Sequence, residues 1–137
     1  MATQTLGFEV ELPMAFEAAV VRVKDVLRQE GFGVLTEIDL NAAFREKLGR
    51  EFRPYVILGA CNPPLAYAAL SADPSVGLLL PCNVTVESLG EARTLVRLTN
   101  PEAMLAAAAS RTTDVQKVAR DAKERMERAA QALTARP

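Results

Sequence analysis

The 137-residue sequence contains no histidine and no tryptophan, and it has only two cysteines. Without imidazole, the chain cannot be a Ser-His-Asp hydrolase, a Cys-His protease or an HExxH metalloprotease. Zinc deaminases with a His-Cys-Cys site and facial-triad iron enzymes are excluded for the same reason, because each needs histidine as a ligand. Any nucleophilic chemistry, or any binding of a soft ligand, would therefore have to use the two cysteines.

An excess of either charge is also missing, since 16 basic residues nearly balance 17 acidic ones and the net charge is -1. A polyanion partner normally requires a basic surplus, so we expect no nucleic-acid partner. No apolar run approaches the roughly 18 residues of a membrane span, and the first residues lack the pattern of a signal peptide. We therefore expect a cytoplasmic protein without membrane contact, in which both cysteines remain thiols.

Half of the residues are hydrophobic, which predicts one domain over residues 1–137 with a buried core. Strict alternation of apolar and polar residues over 6–12 predicts a strand with one buried face. Helical spacing then predicts a helix from about Met14 to Glu30 that ends at Gly31. The pattern then predicts a second strand over 32–38 and a short helix that ends at Gly49.

The middle of the chain predicts a strand over 52–61 with apolar residues on both faces from Tyr55 onward, so that it is covered on both sides, and a helix over about 64–71. The run 77–81 is interpreted as a short extended segment, and 84–88 with 92–98 as a hairpin. From Pro101 onward the pattern is helical, which predicts a C-terminal extension over about 101–135. Its narrow apolar stripe either packs on the protein's own core or pairs with a second subunit.

Helices thus alternate with strands that include at least one hairpin. This order predicts the α+β class: a two-layer fold with a mostly antiparallel sheet, helices packed on one face, and a long C-terminal helix. The other sheet face would remain partly exposed. Because a second copy commonly covers such a face, we expect a homodimer.

Two short segments each place a Cys-Asn pair beside proline at the end of a strand. We predict a ligand-binding site there, and its candidate residues are Cys61, Asn62, Pro63, Cys82 and Asn83. The Asn62 side chain is expected to cap the following helix or to bind the ligand. If the two strands are neighbours, the thiols could form a dithiol, a soft-metal site or a disulfide. Alternatively, Cys61 and Cys82 are small buried hydrophobes, since free cysteine is often buried.

At these motifs the chain resembles the domain of unknown function 302 family. The resemblance rests on residues 36–49, 54–70 and 73–87, and above all on the order and spacing of GACNP and LLPCNV. It covers about residues 6–105 and implies a small α+β domain of bacteria and archaea, similar in topology to half of a TATA-binding protein and often dimeric. The resemblance implies no established activity, and topology alone does not transfer DNA binding.

These observations lead to two hypotheses about function. In the first, the protein is a thiol-based module that binds a small ligand, a soft metal or a sulfur species at Cys61 and Cys82, which are also the candidate metal ligands. In the second, it is a structural or protein-interaction dimer with inert buried cysteines. No nucleophile with a partnered base is recognisable, so the sequence favours a binding role over an enzyme. No cofactor or ligand can be named from the sequence.

Overall fold

The computed structural model describes residues 6–106 and 112–134, which form a five-stranded sheet with helices around it. The strands are β1 (Gly7–Leu12), β2 (Gly33–Asp39), β3 (Tyr55–Cys61), β4 (Cys82–Gly90) and β5 (Arg93–Thr99). The helices are α1 (Phe16–Gln29), α2 (Leu40–Leu48), α3 (Pro63–Ala72), α4 (Pro101–Ala106) and α5 (Thr113–Thr134). The strand order is β1-β5-β4-β3-β2, and each pair of neighbours is antiparallel. The α+β prediction with a long C-terminal helix is confirmed.

One face of the sheet forms the core together with α1 and α5. Period-two alternation brings Val10, Leu58 and Val96 to this face, where each is at most 8% exposed. The buried stripe of α5, which includes Met126 and Leu133, belongs to the same hydrophobic cluster. Of the two interpretations of the C-terminal stripe, the structure therefore shows packing on the protein's own core.

The opposite face of the sheet, which we call the open face, carries a network of ion pairs. Arg93 pairs with Glu11 at 2.7 Å, and Arg97 pairs with Glu9 at 2.9 Å. Arg97 also reaches Glu87, whose side chain is only 7% exposed and whose other partner is Arg53. Charged side chains thus shield this face where the covered face uses aliphatic ones.

One local prediction is wrong: the run 77–81 is not extended but lies mostly in a 3-10 helix, Pro74–Leu79. Asp73 explains the difference, because its carboxylate accepts hydrogen bonds from the Ser75 backbone N–H at 3.0 Å and from the Ser75 hydroxyl at 2.7 Å. A capped start followed by proline favours a helical turn over an extended chain. In the same region, the helix predicted from Pro101 is α4, and residues 107–111 lie outside the described part.

Among the described residues, no helix is both long enough and apolar enough to cross a membrane.

Candidate functional site

The two Cys-Asn motifs meet at one end of the sheet. Strands β3 and β4 are neighbours, and Cys82 pairs in register with Ala60, which places Cys61 one residue beyond that pair. Both cysteines are free and partly buried, and both border one cavity of about 50 Å³. The cavity is lined mainly by apolar residues from β3, α3, the 3-10 helix, α4 and α5.

Asn62 connects this cavity to the end of α1. Its Oδ1 atom accepts a hydrogen bond from the Leu65 backbone N–H at 3.3 Å, so Asn62 caps α3 as predicted. Its Nδ2 atom donates to the Glu30 backbone carbonyl at 3.4 Å. Gly31 makes this approach possible, because a Cβ atom there would lie 2.8 Å from Asn62 Nδ2 and its φ is +85°. Asn62 is consequently 7% exposed, with both ends of its amide engaged.

A second asparagine cap positions the opposite wall of the cavity. Asn100 is 4% exposed, and its Oδ1 atom accepts hydrogen bonds from the backbone N–H groups of Glu102 and Ala103. This cap starts α4 directly after β5 and brings Met104 into the cavity lining. Met104 therefore lines the same cavity as the two cysteines.

Among the residues that the structure describes, no charged side chain lines the cavity. Burial raises the pKa of the Cys82 thiol from its ordinary value of 9.0 to about 11, and the proximity of Cys61 adds to this increase. The buried thiol is therefore protonated at neutral pH. Throughout the described ranges 6–106 and 112–134, no three or more His, Cys, Asp or Glu side chains are grouped so that they could hold a metal ion.

The structure brings together only some of the predicted site residues. Cys61, Asn62 and Cys82 line the cavity, whereas Pro63 and Asn83 do not. Pro63 is the exposed first residue of α3, and Asn83 alternates with Cys82 onto the open face of the sheet. The sequence did not predict Met104 as a site residue, because nothing in the local pattern of α4 relates it to the cysteines of β3 and β4.

Comparison with known proteins gives a family and a fold. The model of a family described as "Domain of unknown function DUF302" matches residues 8–133, a range that includes all of α5 except its last residue. A crystal structure of an uncharacterized conserved DUF302 protein from Bacillus stearothermophilus is similar to this chain, with a TM-score of 0.82 and 26% sequence identity. The similarity covers 93% of this chain and 98% of that protein. No curated protein matches the sequence.

Proposed function

Since the chain belongs to the DUF302 family, a domain family of unknown function, we propose a function from the site itself. The protein is a binding module that takes a small, soft ligand through the thiols of Cys61 and Cys82. One observation carries this proposal: two cysteines from separate motifs border a single small cavity. Such thiols remain available in a reducing compartment such as the cytoplasm.

The polar groups around the cavity support a role for sulfur in particular. Asn62 uses both ends of its amide within the protein, and the Thr99 hydroxyl donates to the Asn83 backbone carbonyl. In the part of the chain that the structure describes, no hydrogen bond engages the sulfur of Cys61 or Cys82. The sulfur atoms are therefore the groups that a ligand could bind without breaking an internal hydrogen bond.

The size of the cavity limits the ligand. A volume of about 50 Å³ admits an ion or a group of a few atoms, because one ordered water already requires roughly 10–15 Å³ by this measure. A nucleotide or a sugar would need several times this space and polar partners that the lining does not offer. We therefore expect soft inorganic species to bind and polar metabolites not to bind.

Arsenite tests this proposal directly, because it is small and binds adjacent thiols. Two thiols condense with As(OH)₃ to form two As–S bonds and release two waters, with no change in oxidation state. We expect one arsenic per chain by mass spectrometry, retained through gel filtration and removed by excess dithiol reagent. Cys61→Ser and Cys82→Ser should each lose this retention.

A matched control separates binding from damage to the fold. Ser88→Ala changes a small residue at the far end of β4, away from the cavity lining, and should retain arsenic like the unaltered protein. Both cysteine variants should keep the far-UV circular dichroism of the parent chain. If a folded chain with two free thiols retained no arsenic, the two sulfurs would not act together and the proposal would be wrong.

The open face of the sheet favours a second function, assembly into a homodimer. Glu9 and Glu11 of β1 form an acidic row beside a basic row of Arg93 and Arg97 on β5. A copy related by a two-fold axis could place its acidic row against the basic row of the first. A broad concavity of about 740 Å³, lined partly by the 76%-exposed Leu6, lies on the same face.

Sedimentation velocity tests this second function with two matched arginine variants. We expect the chain to sediment at twice its mass of 14.8 kDa. Arg93→Glu should produce a monomer, because it places like charges in the proposed interface. Arg45→Glu changes an arginine of similar exposure, 55% against 59%, that lies in α2 and pairs with Glu51, so it should remain dimeric. A monomeric parent chain would contradict the dimer.

A further inference from the structure

The cavity is lined by a third sulfur-containing residue that the two cysteine motifs do not supply. Met104 lines it from α4, while Cys61 and Cys82 line it from β3 and β4. Three sulfur side chains thus border one small, uncharged space. As for the thiols, no hydrogen bond engages the Met104 thioether within the described residues.

We propose that this cavity binds one Cu(I) ion through the thiolates of Cys61 and Cys82 and the thioether of Met104. The inference rests on the proposed function and names the ligand of that same site. Thiolate and thioether ligands together select Cu(I) among the common metal ions. The ion replaces the two thiol protons, which leave to solvent; two Cu–S(thiolate) bonds and one Cu–S(thioether) bond form, and copper stays in the +1 state.

The surroundings of the three sulfurs discriminate against the metals that compete for thiolates. Structural Zn²⁺ requires four ligands in a tetrahedron, usually from Cys, His, Asp or Glu. The described residues offer no cluster of three such side chains, and no carboxylate lines the cavity. Cu(I) has no such requirement, because it is stable with two or three sulfur ligands and carries a single charge. Its small size also agrees with a cavity of about 50 Å³.

The apolar lining around the sulfurs would protect the +1 state. Val118, Ala119 and Ala122 of α5 contribute to the wall, and Leu79 and Leu80 close the side formed by the 3-10 helix. These side chains offer no oxygen or nitrogen ligand of the kind that Cu(II) prefers. The two caps, Asn62 on α3 and Asn100 on α4, hold the ligand-bearing elements in place.

An anaerobic titration of the full chain with Cu(I) in the presence of the chromophoric chelator bicinchoninate tests the inference. We expect the protein to withdraw one equivalent from the chelator and to show an ultraviolet thiolate-to-Cu(I) charge-transfer band. X-ray absorption at the copper edge should count three sulfur neighbours. A Zn²⁺ titration under the same conditions should give much weaker binding.

Met104→Leu is the decisive variant, because it preserves the approximate volume and removes only the sulfur. It should weaken Cu(I) binding at least about tenfold, since even outer-shell partners of a metal commonly contribute 10–100-fold. Its X-ray absorption should count two sulfur neighbours. Met14→Leu is the matched control: this partly buried methionine packs against the main core, does not line the cavity, and should leave both readouts unchanged.

The outcomes separate this inference from the proposal on which it rests. If arsenite is retained but Cu(I) is not withdrawn from the chelator, the thiol site stands and the copper assignment is overturned. The same holds if the sulfur count is identical in Met104→Leu and the parent chain, because methionine is then not a ligand. If neither arsenite nor Cu(I) binds the folded protein, both the thiol site and the copper site are wrong.

Discussion

The two faces of the sheet are covered by different chemistry. On one face, Val84, Val86 and Leu98 are fully buried beneath α1 and α5. On the other, Glu87 is buried almost as deeply, but by Arg53 and Arg97. Adjacent residues of one strand therefore contribute to stability in different ways, because alternation sends each to the opposite face. The candidate site lies at the end of this sheet, with Cys82 packed on the covered face and Asn83 on the open one.

The largest expected contrast between the two faces comes from Leu58 and its neighbour Ile57 on β3. Leu58 is fully buried on the covered face, so Leu58→Ala should lower the free energy of unfolding by about 2–5 kcal/mol. Ile57 lies on the open face, and Ile57→Ala should cost about 1 kcal/mol or less. Urea unfolding followed by circular dichroism measures both values. Equal losses would show that Ile57 contributes as much packing as Leu58, which would contradict the contrast between the two faces.

A second contrast concerns the reactivity of Cys82. It is measured in the Cys61→Ser variant, in which Cys82 is the single thiol. In the parent chain the pKa of Cys82 is raised to about 11, and burial, the larger of its two causes, persists when Cys61 is replaced, so the thiolate fraction at pH 8 stays low. We expect iodoacetamide to react about 10–100-fold more slowly with the native chain than with the same chain in denaturant. Native and denatured rates within a factor of ten would show that Cys82 is accessible.

The smallest expected effect is the pH dependence that Glu87 gives to the open face. Burial acts to raise its pKa, but the hydrogen bonds from Arg97 and Arg53 outweigh burial and hold the pKa below its ordinary value of 4.5. A carboxyl group whose folded pKa is lowered stabilises the fold above its unfolded pKa, and this stabilisation disappears as the pH falls through the folded value. The contribution should be about 1 kcal/mol, because both arginines are at least 40% exposed and water screens them.

Glu87→Gln tests this contribution, because glutamine keeps the shape and loses the charge. The variant should unfold in less urea than the parent at pH 7, and the difference should shrink below about pH 4.5. Glu9→Gln, at a 61%-exposed position on the same face, should have a smaller effect. A difference between Glu87→Gln and the parent that grew toward low pH would have the wrong sign for this explanation.

Most helices and strands followed from short-range patterns. Alternation over 6–12 predicted β1, and Gly31 and Gly49 marked the ends of α1 and α2, where the backbone has positive φ. The 3-10 helix differs from the extended segment predicted for 77–81, because the Asp73 side chain caps its first turn. That signal was present in the sequence, in the Asp-Pro-Ser turn at its start.

The candidate site was predicted only in part, for a physical reason. Cys61 and Asn62 could be placed at a strand end before a helix, since each depends on its neighbours in the chain. The contribution of Met104 depends on how β5 returns beside β4 and delivers α4 to the cavity. Asn83 resembled Asn62 locally but belongs to the other face of the sheet, because the alternation of β4 continues through it.

Composition and short-range patterns are sufficient for the class of fold, the lack of imidazole groups and the two motifs that carry the thiols. These properties follow from composition and from contacts between residues close in the chain, which periodicity and capping rules describe. Three further features arise from contacts between distant segments: α5 covers its own sheet, two arginines shield Glu87, and Met104 lines the same cavity as the cysteines. Those outcomes depend on pairing between distant segments, whose register is set by the packing of the whole core and leaves no local pattern in the sequence.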